Sequence, residues 1–168
     1  HFCESTEIEM GNKYDLIDAV RRNNIDLVKQ LLKSRRAAEL VKVHDDRKGG
    51  FQWTALHHAA WKGHEECCSL LLKYDVDLLF LKGVYGSTPL HLAVWDGRKK
   101  VVEMLINCKE GLECIPMQNK NGRTPLHWAV YRGHTEIVEL LLATKQGLDC
   151  ISTQNKFGNT PLHDAALA

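Results

Sequence analysis

No apolar run in the chain approaches the roughly 18 residues that a membrane span requires. There is almost no charge bias either: Lys and Arg total 22 against 21 Asp and Glu, a net charge of +1. That balance removes the strongly basic footprint expected of a nucleic-acid binder. No secretory leader pattern opens the sequence. Phosphate cradles of the form G-x-x-x-x-G-K-[ST] and nucleophile elbows of the form G-x-S-x-G are missing. Six cysteines, at positions 3, 67, 68, 108, 114 and 150, fit no zinc spacing, and 168 residues is long for a small disulfide scaffold. Reduced thiols follow, and with them an expected cytoplasmic location, the nucleus being equally compatible.

What the sequence does contain is a repeated word. TALHHAAWKGH starts at Thr54, TPLHLAVWDGR at Thr88, TPLHWAVYRGH at Thr124 and TPLHDAALA at Thr160, at spacings of 34, 36 and 36 residues. A degenerate copy, YDLIDAVRRNN, starts at Tyr14 without the Thr and the His. Each Thr stands where a hydroxyl can cap a helix. Pro89, Pro125 and Pro161 follow at the first helical position, where a missing N–H costs nothing. Gly63, Gly97 and Gly133, with Asn23 in the first copy, are placed to close each short helix in a left-handed turn. Apolar pairs at helical spacing then predict a second helix in each unit, as in Leu27-Val28 with Leu31-Leu32 and Ile137-Val138 with Leu141-Leu142. No unit can bury its apolar stripe alone, so the units must stack.

These words resemble the T-P-L-H-x-A signature of the ankyrin repeat family, over roughly nine-tenths of the chain. The resemblance implies an all-α fold: an ankyrin-repeat solenoid of helix-turn-helix units with hairpin fingers. About four and a half units would cover residues 14–168, behind an N-terminal extension, residues 1–13, expected to be flexible. The last unit stops after one helix, so the natural protein is expected to continue beyond Ala168. The longer link between Leu32 and Thr54 is expected to extend the first outer helix or to loop outward. Gln52 stands where Gly86, Gly122 and Gly158 stand in later units, which predicts an irregular second finger.

Nine histidines invite a metal or catalytic reading. His57, His91, His127 and His163 share one repeat position. Neighbouring stacked helices lie about 10 Å apart, whereas zinc ligands sit near 2 Å from one centre. The column is therefore read as scaffold, and His64 and His134 likewise. His58 lies outside the signature and is expected at the surface or only partly buried. Cys67-Cys68 replaces an Ile-Val core pair, and Cys114 and Cys150 are repeat-equivalent; all four read as packing. No catalytic residue, cofactor or metal site is assigned, and the chain is read as non-enzymatic.

Function is sought among residues the scaffold does not need. The resemblance places two positions on the concave face: the one giving Trp61, Trp95, Tyr131 and Leu167, and the one giving Phe51, Tyr85, Asn121 and Phe157. Trp53, Ser87, Arg123 and Asn159 hold another finger position, Lys62, Asp96 and Arg132 flank the aromatic column, and Trp128 contributes from an inner helix. Interface anchors favour Trp, Tyr and Arg, and each large ring buries about 150–250 Å². The candidate partner-binding residues are Phe51, Trp53, Trp61, Lys62, Tyr85, Trp95, Asp96, Arg123, Trp128, Tyr131, Arg132 and Phe157. The expected partner is a protein or peptide, with no nucleic acid, no membrane segment and a monomeric array within a longer protein. The alternative is a regulatory or targeting segment of a larger multidomain enzyme or ion channel.

Overall fold

The computed structural model describes residues 11–166; Cys3 and most of the N-terminal extension, together with Leu167 and Ala168, lie outside the described residues. Among the described residues, eleven α-helices and two short 3-10 helices follow in order, with no strand beyond one isolated bridge, Asp45 with Trp53. The inner helices are α1 (Asp15–Arg21), α4 (Ala55–Lys62), α6 (Pro89–Trp95), α8 (Pro125–Tyr131) and α11 (Pro161–Ala165), each packed on the next. The outer helices α2 (Ile25–Lys33), α5 (Glu65–Tyr74), α7 (Lys99–Asn107) and α9 (Thr135–Leu142) form a second row. Leu56, Leu71, Leu90, Leu105, Leu126 and Leu141 are fully buried between the rows, within one continuous core.

The expected helix punctuation is present. Thr54, Thr88, Thr124 and Thr160 each form a capping box with the histidine three residues on. Asn23 takes φ +54° in the place held by Gly63 at +78°, Gly97 at +69° and Gly133 at +68°. Gln52 also accepts the left-handed turn, at φ +53°.

The link after Leu32 differs from expectation. It neither continues α2 nor simply loops out: Ser34 turns extended, and a separate helix α3 (Ala37–Leu40) packs back on α2. Later units repeat this device as 3-10 turns at Val76–Phe80 and Gly111–Cys114 and as α10 (Lys145–Asp149). The first four units therefore carry three helices each, not two. The side chains of Ser34, Cys108 and Thr144 each donate to the carbonyl three residues back, which ends the outer helix and turns the chain inward.

Candidate functional site

Successive fingers are tied by single backbone bonds: Val84 N–H to the Phe51 carbonyl, Lys120 N–H to Tyr85 and Lys156 N–H to Asn121. At two finger tips an asparagine side chain closes the turn. Asn119 Oδ1 accepts from the N–H groups of Asn121 and Arg123, and Asn155 Oδ1 from those of Phe157 and Asn159. These ties fix the fingers against the inner helices and define the space between them.

The histidine column reinforces the same space. His57, His91 and His127 accept at Nδ1 from the N–H of their own Thr, at 3.1–3.2 Å. A ring nitrogen that accepts from a backbone N–H leaves the other to carry the proton. Nε2–H therefore donates to a carbonyl of the next finger: Ser87 at 3.0 Å, Arg123 at 3.0 Å and Asn159 at 3.1 Å. Both nitrogens of each ring are committed, so none is left to bind a metal or act as a base. Burial holds His57 at a pKa of about 3 and His91 at about 4, and lowers His127 as well. His134 Nε2 lies 3.3 Å from the Trp95 carbonyl, a scaffold contact between units three and four.

Four of the cysteines are packing groups. Cys67, Cys68, Cys114 and Cys150 are buried free thiols. Burial pushes Cys67 up to about 11 and Cys68 and Cys114 to about 12, which disfavours the thiolate that nucleophilic or metal chemistry requires.

His58 departs from its sequence reading. It is 3% exposed, not superficial, because the finger folds over it. Trp53 stacks edge-on against the imidazole at 5.3 Å, and its Nε2 lies 3.5 Å from the carboxylate of fully buried Asp45. Arg47 satisfies that carboxylate at 2.8 and 2.9 Å and reaches Asp18 on α1 with its other edge. Its guanidinium holds the Asp45 carboxyl below the usual range. Burial, then nearby Arg21, lowers His58 to about 4, so this imidazole is neutral. The knot is a structural clamp between units one and two.

The aromatic residues meet across an open cavity of about 410 Å³. One wall is the second finger with α4: Trp53 packs on Trp61 at 5.3 Å and on Phe51 at 5.3 Å, and Phe51 meets Tyr85 at 6.2 Å. A second ring cluster in the lining is Trp95 and Trp128, perpendicular at 4.6 Å, backed by Tyr131 at 6.1 Å from Trp128. Ser87, His91, Leu92, Asn119 and Asn121 complete the lining. The inner-helix rings are half-buried, whereas Phe51 and Tyr85 stand exposed at the finger edge.

Of the twelve predicted positions, Phe51, Trp53, Trp61, Tyr85, Trp95 and Trp128 line this cavity. Lys62 lies over Trp61 at 4.5 Å, Arg132 over Trp95 at 4.7 Å, and Arg123 over Trp128 at 4.4 Å. Tyr131 is a supporting ring, and Asp96 is held by Arg98. Phe157 is 73% exposed and has no ring neighbour among the described residues. The rings thus form two separate clusters that share one cavity, not one continuous ladder. Leu92 and Asn119 were missed as lining residues. The repeat register signals Leu92, which shares the position of Trp128; no sequence signal marks Asn119.

No helix among the described residues is long and apolar enough to cross a membrane. Residues 16–117 and 110–168 match a family model described as ankyrin repeats in three copies. None of the curated proteins matches the chain.

Proposed function

We propose that this chain, which belongs to the ankyrin repeat family, binds a protein partner by receiving an extended segment of it between the fingers and the inner helices. Such repeat arrays generally serve protein–protein interaction, through the extended surface that stacking creates. The observation that carries the reading is that six aromatic side chains from successive units converge on one open cavity of about 410 Å³. Rings of this kind act as interface anchors because they bury much area with few rotatable bonds. A cavity edged by exposed Phe51 and Tyr85 admits a side chain from a partner, and the flanking fingers receive its backbone.

The role is non-enzymatic. The imidazoles of His57, His91 and His127 hold the scaffold with both nitrogens, and the buried thiols of Cys68 and Cys114 are held protonated. Buried free cysteines also suit a reducing compartment, and we place the protein in the cytoplasm or nucleus on that ground.

The test is a double substitution, Trp61→Ala with Trp95→Ala. Both rings are half-buried at the recess and neither belongs to the leucine core. Circular dichroism should report a folded array. Proteins retained by the intact chain in affinity capture with mass spectrometry should be lost by the variant. Retention of the same set by a folded variant would place binding elsewhere.

A further inference from the structure

The charges around the recess narrow the chemistry of the segment it takes; this inference rests on the binding reading above. We propose that the partner segment is acidic and apolar: one large apolar side chain enters the cavity, and neighbouring carboxylates meet Lys62 and Arg132.

The lining supplies the first half. It is dominated by rings and Leu92, and its polar members, Ser87, His91, Asn119 and Asn121, are neutral. No carboxylate or ammonium group lines the cavity among the described residues. A charged side chain placed there would lose its water without gaining a counter-ion. An apolar side chain loses nothing and covers the rings.

The rim supplies the second half. Positions 62, 96 and 132 are equivalent ends of three inner helices and read Lys, Asp and Arg. The acid among them, Asp96, is neutralised by Arg98. Arg123 faces the fully buried carboxylate of Asp164 at 3.4 Å, so its charge is engaged within the chain. Lys62 and Arg132 are exposed and have no ion-pair partner among the described residues. Each rests on a ring of the recess, Trp61 or Trp95, which orders the side chain and leaves N–H groups facing solvent. The chain is nearly neutral as a whole, but the rim of this cavity is positive. The same geometry disfavours a cationic guest, because Trp61, Trp95 and Trp128 each already hold a cation of the chain itself.

The test is selection of short peptides from a random library on the full chain, followed by titration of the recovered peptide by fluorescence anisotropy. We expect an apolar anchor flanked by Asp or Glu, with affinity that falls as salt rises. Lys62→Glu with Arg132→Glu, at two exposed positions, should weaken that peptide about tenfold and favour its Lys-flanked counterpart. Recovery of Lys- or Arg-flanked peptides, or a preference unmoved by the charge reversal, would overturn the acidic assignment and leave the recess as a binding site. Tighter binding of a single-stranded oligonucleotide than of any recovered peptide would overturn it in favour of stacked bases. Peptides that bind a folded Trp61→Ala/Trp95→Ala variant unchanged would instead overturn the underlying reading.

Discussion

At the residue scale, the signature histidines of units two to four make the array sensitive to acid. The Nδ1 of each accepts from a Thr N–H while Nε2–H donates to the next finger. Protonating Nδ1 would replace the first bond with a repulsive contact inside a buried site. Folded His57 and His91 accordingly take up protons only near pH 3 and pH 4, against an ordinary value of 6.5. The unfolded chain protonates the same rings near pH 6.5. Unfolding therefore takes up protons below that value, and stability falls as pH drops from about 6.5 towards 4. Above pH 7 this contribution is flat. Each such ring adds about 1.4 kcal/mol per pH unit to the slope. For His91→Gln we expect a loss of about 2–3 kcal/mol at pH 7, from the unpaired Thr88 N–H and Arg123 carbonyl. Its stability should also fall less steeply with acid, by one proton. Urea melts between pH 7 and pH 5 measure both. A slope unchanged from the parent would mean that His91 takes up its proton as readily in the folded chain as in the unfolded one.

At the scale of single elements, the repeated word made the inner and outer helices legible. Thr, Pro and Gly mark the ends of the inner helices by conformational rules that hold without tertiary context, and apolar pairs at helical spacing mark the outer ones. The third helix of the first four units was not legible. Its signal in units one, three and four is a helix-ending Ser34, Cys108 or Thr144, three residue types that share a donor but not a propensity, followed by a turn too short to show periodicity; in unit two Asp75 stands there and accepts from the Asp77 N–H instead. The rings were placed on the right elements by register. Which rings touch, and that Trp128 rather than Tyr131 faces Trp95, depends on side-chain rotamers that spacing does not encode. The third helices lead to a sharp expectation. Gly111 and Gly147 are buried six residues after Leu105 and Leu141, and a Cβ on either would enter the Leu105 or Leu141 carbonyl. Neither glycine has a positive φ, so the demand is for space alone. Gly147→Ala should therefore cost about 1–3 kcal/mol by overpacking and raise amide exchange in α10 before α8. Ala37 holds the corresponding place in unit one, where α3 already accommodates a methyl group. Ala37→Gly should leave the α3 backbone in place, and exchange at Leu40 and Val41 would report it.

At the scale of the whole molecule, stability in a stacked array is a sum of unit and neighbour contributions, so each interface matters separately. The first interface is built differently from the others. Unit one has Ile17 where later units have the histidine, and cannot bond the carbonyl of Trp53 as His57 bonds that of Ser87. The Asp45 N–H takes that carbonyl instead, at 2.9 Å, and the Asp45 side chain recruits Arg47, which reaches back to Asp18 on α1. The long link is thus the replacement for a missing strut. Removing Arg47 would leave a fully buried carboxylate with only Arg21, 3.5 Å away, as an ionic partner besides neutral His58. Arg47 is itself about one-third exposed, so solvent screens part of the interaction. We expect Arg47→Met to cost about 2 kcal/mol, below the range for fully buried pairs. The loss should be local: hydrogen exchange in α1 and α2 should accelerate while α8 and α9 keep their protection. Equal acceleration in every unit would mean that the array unfolds as one cooperative block, and that the clamp stabilises the whole stack rather than its first interface.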